Sequence, residues 1–213
     1  MKSLFSKILI FILIIVLAGV AYYYFKKSKT NNVEVKYVQP TAINESVDTT
    51  FKNDTYKISF MYPGVWKSQD LGGDKNITEP LIAENITYFI DPSRDDSKIG
   101  ASLKVLKYVL EPDKKIKTSD DWYKYIKARS DQFATQKDLI DEIGYKLISL
   151  DKLSDINGHF VVRENYTRKD NVRGQDFYVY AGNLYQFIFK CNTDTYDIYS
   201  PIFDKVIKSF STY

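Results

Sequence analysis

The sequence predicts an α+β protein: an N-terminal transmembrane helix followed by an α/β/α sandwich with a central antiparallel sheet. Three observations predict it. The run Ile8–Phe25 carries no charge, period-two alternation recurs between Tyr56 and Cys191, and segments around Trp122 and Phe203 repeat apolar side chains at helical spacing. The chain divides accordingly into an anchor (1–25), a flexible linker (26–54) and a folded domain (55–213).

The anchor reads ILIFILIIVLAGVAYYYF, and Leu4-Phe5 extend it past Lys7. About 18–20 helical residues, rising ~1.5 Å each, cross a hydrocarbon core ~30 Å thick. Tyr22, Tyr23 and Tyr24 stand where amphipathic rings meet the headgroups, and Lys26, Lys27 and Lys29 stop the insertion. A cleaved signal peptide shares the short basic start, but Gly19-Val20-Ala21 is a mediocre cleavage site and the run is long for one. Leu17-Ala18-Gly19 resembles a lipobox with Val20 in place of the cysteine, which excludes lipid attachment. A core helix would need a polar face, which this run lacks. Lys2 and Lys7 precede the span and Lys26, Lys27, Lys29 and Lys36 follow it, so charge alone leaves the orientation open.

Residues 26–54 are polar, with Asn31-Asn32, Pro40 and Asp48-Thr49-Thr50, and bury too little apolar surface to order themselves. From Thr55 the pattern changes. Tyr56, Ile58, Phe60 and Tyr62 alternate with polar neighbours until Pro63-Gly64 breaks the strand. Ile86–Ile90 and Ile99–Leu110 read as further strands. Thr118 or Ser119 caps a helix running to about Lys137, with Asp120 and Asp121 at its positive end and Trp122, Tyr125, Ile126, Arg129 and Phe133 on one face. Four strands follow: Tyr145–Leu153, His159–Thr167, Phe177–Tyr180 and Leu184–Cys191. Asn157-Gly158 and Gly182-Asn183 are their tight turns. In the last strand Tyr185, Phe187, Phe189 and Cys191 face one way and Leu184, Gln186, Ile188 and Lys190 the other, so both faces are expected to be covered. A final helix is expected to start at Ser200-Pro201, with Phe203, Val206, Ile207 and Phe210 as its stripe.

Composition excludes several classes. Thirty basic and 27 acidic side chains leave a net charge of +3 over 213 residues, too small and too mixed for a nucleic-acid partner. A mean hydropathy of −0.33 excludes a polytopic membrane protein. One cysteine and one histidine form no internal disulfide and no zinc ligand set.

The element order and two signatures resemble the PsbP family, named for the extrinsic lumenal protein of photosystem II. Tyr56–Trp66 (YKISFMYPGVW) is similar to the family's opening strand followed by Pro-x-x-Trp. Tyr185–Cys191, with Tyr199–Phe210 ending Val-Ile-Lys-Ser-Phe, is similar to its close. The resemblance runs from about Thr55 to the C-terminus. It implies a non-catalytic assembly or adaptor domain outside the cytoplasm, and hence a cytoplasmic N-terminus. No photosystem-binding residue carries over, because the family's long basic leader has no counterpart here. The same fold occurs in a Ran-binding nuclear transport factor, so architecture alone does not name a function.

Candidate chemistry is sparse. Cys191 with His159 is the pair to test for nucleophilic catalysis, but Cys191 falls on an aromatic strand face, where a thiol packs as a small apolar group. Asp91, Asp95 and Asp96 could offer oxygen ligands to calcium, yet their spacing is not that of an EF-hand and Arg94 sits among them. Leu71-Gly72-Gly73-Asp74-Lys75 lacks phosphate-loop spacing. Lys114, Lys115 and Lys117 form a small basic knot that reads as a solvated loop, with a membrane surface or acidic partner as the alternative. Sequons at Asn44, Asn53, Asn76, Asn85 and Asn165 read as by-products of an AT-rich bacterial genome rather than as glycan sites. Trp66, Trp122, Tyr123, Tyr178 and Tyr180 could line a pocket, though a core of this size needs most of them.

The expectation is a single-pass, membrane-tethered, extracytoplasmic binding or assembly module without enzyme activity, cofactor, metal or catalytic residues. Its partners are the lipid bilayer, through the N-terminal helix, and a protein at the membrane surface. A cell-envelope hydrolase using a carboxylate or metal site is the alternative.

Overall fold

The computed structural model describes residues 47–69, 75–78, 81–91, 100–110 and 115–213. The expected membrane span and most of the expected linker lie outside them. Among the described residues no helix is long and apolar enough to cross a membrane.

The first strands are β1 (Val47–Asn53), β2 (Ile58–Pro63), β3 (Lys67–Gln69), β4 (Lys75–Thr78), β5 (Leu81–Ile90) and β6 (Ser102–Tyr108). Two helices follow, α1 (Ser119–Ala134) and α2 (Lys137–Ile143), then β7 (Lys146–Lys152), β8 (Phe160–Thr167), β9 (Val172–Tyr180) and β10 (Leu184–Asn192). A 3-10 turn, Thr193–Thr195, leads into α3 (Tyr196–Lys208), and β11 (Ser211–Thr212) closes the domain. The main sheet is antiparallel with order β3-β5-β6-β10-β9-β8-β7, and β4 pairs with β5. A smaller antiparallel sheet is ordered β1-β2-β11.

Period-two alternation sends side chains to two separate cores. Leu103, Val105, Phe177, Val179, Phe187, Phe189 and Cys191 point towards α3 and the small sheet, where they meet Phe60, Trp66, Tyr199, Phe203 and Phe210. Leu106, Tyr108, Val162, Tyr178 and Leu184 point the other way, onto Trp122 and Ile126 of α1. The expected cover on both faces is present. Trp66 seals the opening signature: its N–H donates to the Pro63 carbonyl at 2.9 Å and its ring meets Phe203 at 6.4 Å.

Local sequence explains the ends of the elements. Thr118 accepts from the Asp121 N–H at 3.1 Å while the Asp121 carboxylate accepts from the Thr118 N–H at 3.0 Å, a reciprocal cap. Asn157 and Gly158 both hold positive φ, 51° and 81°, as the two-residue hairpin turn demands. Asn157 also donates to the Lys208 and Phe210 carbonyls at 3.1 and 2.8 Å, closing the C-terminal end of α3.

Four expectations need correction. Val47–Asn53, assigned to the linker, is strand β1. Its alternation is masked in sequence because only Val47 and Phe51 are apolar, and its hydrogen bonds to β2 supply the order that its composition does not. The first helix ends at Ala134, not near Lys137. Thr135 caps it through 3-10-type bonds and α2 continues after Gln136. β9 begins at Val172, ahead of the expected Phe177, because Arg173, Gly174 and Gln175 are drawn into ladders on both sides. The last helix starts at Tyr196 rather than at Pro201. Burial of Tyr196 and Tyr199 fixes a turn ahead of the proline, which then sits inside the helix facing solvent.

An internal proline removes one backbone bond and crowds the preceding turn. Pro201→Ala is therefore expected to raise stability by about 1 kcal/mol in urea denaturation, the regained hydrogen bond outweighing the freer unfolded chain. A loss of stability would show that the helix has already adapted around the ring.

Candidate functional site

The α1 face of the main sheet is not uniformly apolar. Across β8, β9, β10 and β6 the register aligns Glu164, Asp176, Ile188 and Lys104 in one row. The next row is Val162, Tyr178, Gln186 and Leu106, and on the far side run Tyr166, Gly174, Lys190 and Ser102. α1 covers this surface with Arg129, Ser130 and Phe133, and Ile143 and Tyr145 close one end. Between them lies a cavity of about 290 Å³.

Glu164 and Asp176 are 4% and 5% exposed, so neither carboxylate is solvated by bulk water. Directly opposed like charges on neighbouring strands repel, and buried charge is costly unless hydrogen-bonded. Neutral donors answer both problems. Glu164 Oε1 accepts from Ser130 Oγ at 2.6 Å and Tyr145 Oη at 2.7 Å, and Oε2 accepts from Tyr178 Oη at 2.5 Å. Asp176 Oδ1 accepts from Tyr166 Oη at 3.2 Å and Oδ2 from Gln186 Nε2 at 2.8 Å. Gln186 is oriented in turn by the Tyr108 hydroxyl, which donates to its Oε1 at 2.9 Å. The Trp122 ring nitrogen ties α1 to the sheet by donating to the Tyr178 carbonyl at 3.0 Å. Gly174 has a steric role: a Cβ there would fall inside the Tyr166 ring, which leans over it towards Asp176.

Burial, and then the facing carboxylates, push the Tyr145, Tyr166 and Tyr178 phenols well above their ordinary range, so they remain donors at any working pH. Asp176 behaves differently. Burial first, then the charge of Glu164, raises its carboxyl to about 7, against the opposing pull of Lys190, Gln186 and Tyr166. It exchanges a proton near neutrality within a floor of fixed hydrogen bonds.

The residues singled out in the sequence are placed elsewhere. Cys191 is fully buried in the α3 core, and its thiol contacts the Arg173 carbonyl at 4.0 Å. His159 stands by the Phe210 ring at the opposite end of the strands. The register pairs Cys191 with Arg173 and Leu184 with Tyr180, separating the two by about seven residues, or ~23 Å, along the sheet. They form no catalytic pair. Asp91 is buried on the α3 side and accepts from the Tyr199 hydroxyl. Arg94, Asp95, Asp96, Lys114 and Gly72-Gly73-Asp74 lie outside the described residues, while Lys115 and Lys117 are exposed. Among the described residues no three His, Cys, Asp or Glu side chains are placed to hold a metal ion. Of the candidate pocket aromatics Tyr178 lines the cavity, while Trp66 and Trp122 pack the two cores. The sequon residue Asn165 is buried on the α3 face. It donates to Ser149 Oγ at 2.9 Å and accepts from Tyr196 Oη at 3.1 Å.

Glu164, Asp176 and Tyr145 were not singled out from sequence. The available signal was Gln186 and Lys190 on a strand face that had to be covered: polar side chains under a helix imply polar partners opposite.

An unfolded aspartate ionises near ~3.9. Between that value and about 7 the folded protein keeps a proton that the unfolded chain has lost. This carboxyl's contribution to stability is therefore complete below about pH 4 and is lost as pH rises through 7. Asp176→Asn keeps one donor and one acceptor and removes the titration. Relative to the variant, the natural chain is expected to lose about 2 kcal/mol between about pH 5 and 8 in urea denaturation. Parallel pH profiles for the two would refute the assignment.

No family model and no curated protein matches the chain. Solved structures do. The solution structure of cyanobacterial PsbP (CyanoP) from Synechocystis is 19% identical, with a TM-score of 0.53, over 78% of this chain and 92% of that one. A crystal structure of PA94, a Pseudomonas aeruginosa protein of unknown function, is 10% identical, with a TM-score of 0.45, over 78% and 96% of the two chains, an overlay too loose to argue from. At 19% identity the first likeness speaks for architecture alone: the domain is a mixed α/β structure with antiparallel sheets and a PsbP-like fold.

Proposed function

We propose that this chain is a membrane-tethered binding module that works outside the cytoplasm and takes a small ligand in the cavity between α1 and the sheet. One observation carries the reading: a cavity of about 290 Å³ floored by Glu164 and Asp176, whose oxygens are already held by fixed serine, tyrosine and glutamine donors. Carboxylates held in this way shape and polarise a pocket but are poorly placed to attack a substrate. The uncharged run Ile8–Phe25 supports the tether, and 26–46 supplies a polar linker to the first strand. Anchoring raises the local concentration of the domain for any protein partner at the same surface.

A hydrolase of the cell envelope is the second reading. It is favoured by Asp176, a buried carboxyl raised to about 7 beside a second carboxylate, as a general acid would be. Its metal version has no ligand set among the described residues.

Fractionation and protease access test the tethered reading. The full chain is expected to stay with membranes through an alkaline carbonate wash, and a chain starting at Lys26 to be released. Protease added to spheroplasts is expected to remove the domain while a cytoplasmic marker survives. Release of the intact full chain, or protection of the domain, would overturn the reading. Turnover of a cell-wall substrate that Asp176→Asn abolishes would transfer the assignment to the hydrolase.

A further inference from the structure

We propose that the cavity under α1 binds a small organic carboxylate, with its anionic end among Lys104, Lys190 and Arg129 and its apolar body against Phe133, Ile143 and Ile188. This rests on the reading of the cavity as a ligand site and adds the chemical class of the ligand.

Charge accounting on the walls points to an anion. Four cationic side chains (Lys104, Arg129, Arg168 and Lys190) line the cavity, against Glu164 and Asp176. The carboxylates have neutral donors on both oxygens, so the cations are not needed to satisfy them. Arg168 is paired, at 2.9 Å from Asp170. Among the described residues no carboxylate lies within ion-pair distance of Lys104, Lys190 or Arg129. The register places Lys104 opposite Ile188 and Lys190 two residues further on, so the two ammonium groups share one face as diagonal neighbours. Burial, then the charge of Lys190, lowers the affinity of Lys104 for its proton, the mark of a cation short of a counter-charge. The Arg129 guanidinium lies 4.6 Å over the Tyr108 ring and 5.6 Å from the centre of Phe133, and its Nη1 has no hydrogen-bond partner among the described residues. Lys190 acts on Asp176 only at a distance, and half-buried cations without a close ion pair among the described residues carry a desolvation cost that a bound carboxylate would offset.

Size and wall chemistry narrow the class. A cavity of about 290 Å³ lies at the small end of ligand pockets, which run from ~300 to ~1,000 Å³, and suits an acid the size of one ring and a short side chain. Leu106, Phe133, Ile143 and Ile188 give the wall an apolar part beside its tyrosines and Gln186, which inorganic phosphate would leave empty.

The test is calorimetric titration of the full chain in lipid nanodiscs, blanked against empty discs, with phenylacetate, phenylacetamide, phenethylamine and inorganic phosphate. Phenylacetate is expected to bind at least about tenfold more tightly than the other three, the range of one charge-assisted contact. Lys104→Gln and Lys190→Gln, both half-exposed and conservative in length, are each expected to weaken it about three- to tenfold and to reduce its preference over the amide. Phe133→Trp, which fills the cavity, is expected to abolish binding. If the amine or amide binds as well as the acid and Phe133→Trp blocks it, the carboxylate class is wrong and the cavity reading survives. If phosphate binds as well as phenylacetate, the apolar-body assignment fails. Should none of the four bind, or should Phe133→Trp leave binding unchanged, both readings fall.

Discussion

Glu164 and Asp176 are direct cross-strand neighbours beneath a helix, where two carboxylates repel each other and resist leaving water. The hydroxyl and amide groups on that side of the sheet answer this arrangement. Ser130 is a serine in a helix interior because its hydroxyl reaches Glu164. Tyr145 and Tyr178 close the same carboxylate from the end and the floor of the cavity. Tyr166 can lean over β9 to reach Asp176 only because residue 174 has no side chain. An apolar face would be simpler to stabilise, so a polar floor of this kind needs a use, and a pocket with a titrating wall is one.

Aromatic packing dominates the opposite face. One set of ring contacts joins Phe51, Phe60, Phe187 and Phe210, a second joins Phe177, Phe189, Phe203 and Tyr199, and α3 lies across them. Cys191 belongs to this layer as packing material. The α3 side is held together chiefly by aromatic burial, while the α1 side combines an apolar cluster around Trp122 with charged and hydroxyl groups that burial alone would reject. Successive residues of one strand serve different sides, as with Phe177 in the aromatic core and Asp176 and Tyr178 in the cavity.

Much of the architecture was legible because it follows from local rules. The cap at Thr118, the Asn157-Gly158 turn and the two-faced last strand are each written in a few residues, and the PsbP-like fold follows from their order. What was not legible is non-local. β1 is ordered by its ladder with β2 and not by its own composition. The start of α3 is set by where Tyr196 and Tyr199 are buried, which outweighs a proline signal that is strong in isolation. The cavity was hidden for the same reason. Glu164 sits in VVRENYT, where a lone acid reads as solvent-facing, and only the covering helix reveals that it is enclosed. Gln186 and Lys190 were the exception: their face had to be covered, and they could have prompted a search for acceptors and donors opposite.

Asn165 carries a consequence for how this chain can be made. Its amide bridges Ser149 of β7 and the Tyr196 hydroxyl of α3 from a position almost closed to solvent. Yet Asn165-Tyr-Thr167 is a valid acceptor for a eukaryotic oligosaccharide, which is attached while a chain is still unfolded. In a yeast or mammalian host a sugar tree placed there would wedge α3 away from the sheet and block closure of the aromatic layer. Bacterial production, or Thr167→Val, which removes the acceptor signal and leaves the Asn165 amide in place, avoids that wedge.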